Sequence, residues 1–136
     1  MINSVIKAVA SALVSAGAEN VYSAFDAVPV EQKSRGIFTT VGISSLECSA
    51  PISSAYTIFM PFKADVAVNV TAPRGFSEKA LFDYYSSYIE TALGRLSGLE
   101  SRLKKLSVKY DSNINRLVLG AVFGIGGMTT IERSGK

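Results

Sequence analysis

The sequence predicts an α+β fold: an antiparallel, bent β-sheet with two helices packed on one face. Three observations carry this. Tyr56 to Ala72 alternates apolar and mostly polar residues. Two other stretches repeat apolar residues at intervals of three and four. Near the C-terminus two alternating runs flank the turn-forming triplet Asp111-Ser112-Asn113. Alternation marks a strand with one dry face, and three-four spacing marks a helix with one dry stripe. Each needs the other as cover. At 136 residues the chain is expected to form a single domain, 1–136.

The first helix is expected over residues 2–16, with Ile2, Val5, Ile6, Val9, Ala12, Leu13 and Ala16 on one stripe. Asn3 or Ser4 suits its start, and Gly17 suits a left-handed stop. Lys7 lies inside the apolar part rather than before it, which argues against a secretory leader. Val21 to Phe25 reads as a short strand. Asp26 to Gly36 reads as a long polar connection containing Pro29. Ile37 to Leu46 is a strand with Ile37, Val41 and Ile43 on one face, and Glu47 to Ser54 is a turn or loop.

The central run follows. Tyr56, Ile58, Met60, Phe62, Ala64, Val66, Val68, Val70 and Ala72 form the dry row. At about 3.3 Å per residue it would reach roughly 56 Å, long for one flat strand in a small domain. Pro61 has no N–H to donate, so a bend, a bulge or a sheet edge is expected there. Pro73-Arg74-Gly75 ends the run, and Ser77 caps a second helix with Glu78 in its first turn. Its stripe is Leu81, Phe82, Tyr85, Ile89, Ala92, Leu93 and Leu96, flanked by Tyr84 and Tyr88. Leu103, Leu106, Val108 and Tyr110, then Leu117, Leu119, Ala121 and Phe123, form the faces of a hairpin. Gly124 to Gly127 should mark a bulge, a tight turn or a close backbone approach to a neighbouring subunit, and Met128 to Glu132 a final strand.

The chemistry is defined mostly by exclusion. The chain has no histidine and one cysteine, Cys48. Histidine-based triads, histidine metal sites and cysteine-based zinc sites are therefore out of reach. Asp65, Asp83 and Glu90 read as solvated carboxylates, and the tyrosines of the second helix as core edge rather than a stacking platform. The glycines match neither a phosphate loop nor a dinucleotide fingerprint. Leu117 to Met128 falls short of the ~20 residues a membrane helix needs. No enzyme activity, cofactor or membrane role is expected. The net charge is only +3, yet from Arg95 onward eight basic side chains face three acidic ones. That imbalance reads first as a solvated polar face, and in a sharper reading as a surface that meets an acidic partner.

The N-terminal helix, the passage KADVAVNVTAPRGFSEKALFDYYSSYIETAL (Lys63 to Leu93) and the closing KKLSVKYDSNINRLVLGAVFGIGG resemble the tail terminator proteins of long-tailed phages and related neck and minor tail proteins. The resemblance is one of element order and covers most of the chain. It implies a structural role in the virion, or in the host cytoplasm during assembly. The chain would form a ring, six-fold by analogy, that closes the tail tube and meets the head connector. Its contacts would come from Asp26–Gly36 and Glu47–Ser54, with Pro29, Glu31, Lys33, Arg35 and Glu47 as candidates. Lys104, Lys105 and Lys109 would meet an acidic rim. The competing reading is a nucleic-acid or small-ligand module using the basic hairpin, whose binding would weaken steeply with salt.

Overall fold

The two amphipathic helices and the alternating strands assemble as their patterns require. A computed structural model describes residues 2–23, 36–53 and 57–132. Helix α1 is Ile2–Ala16, and β1 (Val21–Ser23) and β2 (Phe38–Cys48) follow. β3 (Ile52–Ser53) and β4 (Thr57–Thr71) come next. Helix α2 covers residues 78–93, and β5 (Glu100–Asp111) and β6 (Arg116–Glu132) close the order. The sheet runs β1-β2-β4-β6-β5, with β3 paired to β4 beyond the end of β2.

β4 sits at the centre because it has a dry row on one side and partners on both edges. Phe62, Ala64, Val66, Val68, Val70 and Ala72 are all buried. They join Val5, Val9 and Leu13 of α1 and Leu81, Tyr85 and Ile89 of α2 in one core. The strand is continuous through Pro61. Its neighbour changes there instead: Cys48 of β2 pairs with Phe62, while Ile52 of β3 pairs with Phe59. The Pro61 carbonyl accepts the Ser49 N–H at 2.8 Å, so its missing donor faces the gap between β2 and β3.

The Gly17 and Ser77 caps act as the sequence suggests, whereas Asn3 and Ser4, expected to start the first helix, lie inside α1, which begins at Ile2. Gly17, at φ +102°, lets the Gly17 and Ala18 N–H groups donate to the carbonyls of Val14 and Leu13, a Schellman closure. The Ser77 hydroxyl accepts the Ala80 N–H at 3.1 Å. α2 is α-helical over Glu78–Tyr84, π-helical over Tyr85–Glu90 and α-helical again over Thr91–Leu93. The wider turn keeps Leu81, Tyr85, Ile89 and Leu93, spaced by four, over the sheet. Tyr84 rests on Tyr88 with ring centroids 4.7 Å apart, and its hydroxyl accepts the Glu19 N–H at 2.9 Å.

Several expectations change. β1 pairs with β2 in parallel, so the sheet is only mostly antiparallel. Residues 24–37 separate the two strands, enough chain for the crossover that parallel pairing demands. Glu47 and Cys48 belong to β2 rather than to a loop, and Ile52–Ser53 pairs with β4. Phe82 is 41% exposed and leaves the core stripe. β6 passes unbroken through Gly124 to Gly127 and pairs with β4 from Val118 to Glu132, so no separate final strand exists. Phe38 is buried on the side away from the helices, with Tyr22 edge-on at 6.1 Å and the Arg116 guanidinium 5.1 Å from its ring centre.

Candidate interaction surface

The face of the sheet that carries no helix among the described residues, its helix-free face, is where the remaining chemistry collects. Alternation assigns to it the residues of β4 between the dry positions: Lys63, Asp65, Ala67, Asn69 and Thr71. Pairing with β6 sets Gly126 beside Lys63, Gly124 beside Asp65 and Gly120 beside Asn69. These glycines carry no side chain, so a trough opens between β4 and β5. One part, about 430 Å³, is bordered by Glu47, Lys63, Asp65, Glu100, Arg102 and Lys104. A second part, also about 430 Å³, is bordered by Asn69, Ser107, Lys109 and Tyr110.

Two β-bulges converge on Asp65. In β2 the register slips between Ile43 and Ser45, and in β5 it slips between Leu103 and Lys105. A bulge re-aims side chains. Here it turns Ser45 and Lys104 toward one carboxylate. Lys104 Nζ donates to Asp65 Oδ1 at 2.9 Å, and Ser45 Oγ donates to Asp65 Oδ2 at 3.1 Å. Lys104 reaches Asp65 by crossing Gly124, where an added Cβ would lie 3.1 Å from Lys104 Cδ. The Lys104 bond first, and the Ser45 bond second, hold the Asp65 carboxyl below its ordinary range.

The basic third of the chain is therefore less available than its composition implies. Lys104 is committed to Asp65. Arg116 is buried where β6 begins, and its guanidinium donates to the carbonyls of Ala72 and Gly36. Burial, helped by the nearby Arg74 charge, pushes its pKa down from the ordinary value. Lys105 and Lys109 remain exposed on β5, both on the helix-free face.

Of the interaction residues expected from sequence, Glu47 and Lys104 border the same trough and Lys109 borders the second. Lys105 stands opposite Val122 on the same face. Pro29, Glu31, Lys33 and Arg35 lie outside the described residues. Asp65, Ser45 and Gly124 were missed as a unit, because their meeting depends on two bulges and on a register that no local pattern announces. Among the described residues no group of three acidic, cysteine or histidine side chains could hold a metal. Nor is any described helix long and apolar enough to cross a membrane.

No family model matches the chain, and no curated protein does. Among solved structures the chain is similar to the PVC sheath/tube terminator of an extracellular contractile injection system in its extended state. The match covers 98% of this chain at 11% identity, with a TM-score of 0.56. This chain spans 58% of that protein's length. Type 4 fimbrial biogenesis protein PilO from Pseudomonas aeruginosa also aligns, over 97% of this chain and 69% of that one, at 8% identity and TM-score 0.32. What the first likeness shows is a shared fold.

Proposed function

We propose that this chain is a non-enzymatic assembly protein of the tail-terminator type, closing the end of a tube in a phage tail or a related particle. The observation that carries the reading is the likeness of nearly the whole chain to a sheath/tube terminator. The sheet supports it from a second side. It is open, and β5 forms a long edge whose outward backbone groups have no strand beside them among the described residues. In this reading copies of the chain join head-to-tail in a ring, six-fold by analogy, with the tube below and a connector above. The segments 26–36 and 47–54 would reach a neighbouring copy or the tube.

Native mass measured across protein and salt concentration, with negative-stain images of the same samples, tests this. Rings with a central hole, alone or on tube ends, are the expected result. Protein that neither forms rings nor caps tubes, and that shifts on adding DNA at low salt, would overturn the reading in favour of a nucleic-acid module.

A further inference from the structure

β5 combines three features. Among the described residues it is the outer strand of the sheet and pairs only with β6, so every second N–H and C=O along it points outward. Its register is unbroken from Lys105 to Asp111, beyond the bulge. Its two faces differ in kind. Leu106, Val108 and Tyr110 stand opposite Ala121, Leu119 and Leu117 on the helix side, and Tyr110 is 58% exposed. Lys105, Ser107 and Lys109 stand opposite Val122, Gly120 and Val118 on the helix-free side.

Lysines and a bulge are devices that protect an edge from indiscriminate pairing. Between the bulge and Tyr110 the charge of β5 has one sign, with Asp111 following at the turn opposite Arg116, and the bulge lies at the other end. The protection is thus selective: a basic or neutral strand is refused, and an acidic one is favoured. We propose that residues 105–110 accept an added strand from a protein partner, an extended segment whose alternate side chains are acidic and apolar. Its acidic residues lie beside Lys105 and Lys109. Its apolar residues extend the half-covered strip of Leu106, Val108 and Tyr110. A second copy of β5 fits less well, because pairing puts Lys105 and Lys109 of both copies on one face of the ribbon. This inference rests on the assembly reading for its setting and names the chemistry of the partner.

The test is binding of four labelled heptapeptides to the whole protein, followed by fluorescence anisotropy. One alternates Glu and Val, one alternates Lys and Val, and two are the Glu-Val peptide N-methylated on one or the other alternate set of amides. Two cross-strand charge pairs predict that the Glu-Val peptide binds about two- to thirtyfold tighter than the Lys-Val peptide. The double variant Lys105→Glu/Lys109→Glu should reverse that order. Methylating one alternate set of amides should abolish binding, while methylating the other set leaves it. Amide exchange should slow within 105–110 when the Glu-Val peptide is bound. Equal binding of the acidic and basic peptides, no binding of either, indifference to methylation of both sets, slowed exchange elsewhere, or association of two protein copies through β5 would each overturn the proposal. No ring or tube enters this experiment, so its failure is distinct from failure of the assembly reading.

Discussion

β4 and β5 are long strands of the same sheet with opposite surroundings. β4 is paired on both edges and covered by helices on its dry face, so from Phe62 to Ala72 every second side chain is buried. Among the described residues β5 is paired on one edge only, and its apolar side chains stay half-covered or exposed. Both alternate cleanly in sequence. Alternation therefore reports which face a side chain takes, and not how many neighbours the strand has. The second fact decides stability at β4 and availability at β5.

The largest test of this contrast is a pair of truncations. Leu119, fully buried beside β4, should cost about 2–5 kcal/mol on Leu119→Ala. Leu103→Ala on β5, where the side chain is 42% exposed, should cost about half a kcal/mol. Denaturant unfolding reads both. Equal losses would break the distinction.

Arg116→Ala comes next. It removes the donor to the Ala72 and Gly36 carbonyls and uncovers the Phe38 ring, and should cost about 2 kcal/mol in the same measurement.

The glycines of β6 sharpen the contrast between the two faces. A Cβ on Gly127 would come within 2.5 Å of Leu99 Cδ2 and 3.0 Å of the Phe62 ring. Gly127→Ala should therefore cost about 1–3 kcal/mol. On the opposite face the nearest atom to a Cβ on Gly126 is 3.8 Å away, and Gly126→Ala should stay within about 0.5 kcal/mol of the parent.

The smallest effect concerns pH. The Asp65 carboxyl titrates below its ordinary 3.8 when folded, because Lys104 and then Ser45 bond the charged form. Its contribution to stability is present above the unfolded value and is lost as pH falls through the lower folded one. Lys104→Ala should move the Asp65 titration, followed by carboxyl-carbon NMR, back toward 3.8 and flatten that pH dependence. An unchanged titration would remove Lys104 as the cause.

The sequence made the local devices readable. Gly17, Ser77 and the row from Phe62 to Ala72 act through neighbours a few residues away, so their patterns survive without the fold. The parallel pairing of β1 was hidden, since three residues carry no record of strand direction. The glycines of β6 looked like an interruption because a missing side chain weakens alternation. In the folded sheet they are positions where Lys104, Asn69 and Phe62 come close. Phe38 lacked a visible partner until Arg116 and Tyr22 were brought to it. Asp65 looked like any solvated carboxylate, because Ser45 and Lys104 lie 20 and 39 residues away in the chain. The site was thus less legible than the fold: it is made by register, and register is a property of pairs of strands.

Both the assembly reading and the strand-addition proposal depend on one statement, that the sheet is closed at β4 and open at β5. Residue-resolved amide exchange of the free protein tests it most directly. The prediction is slow exchange at Val66, Val68 and Val70 with their β6 partners, and fast exchange at every second amide between Lys105 and Lys109. Uniformly slow exchange along β5 would mean that its edge is already occupied, and would contradict the account.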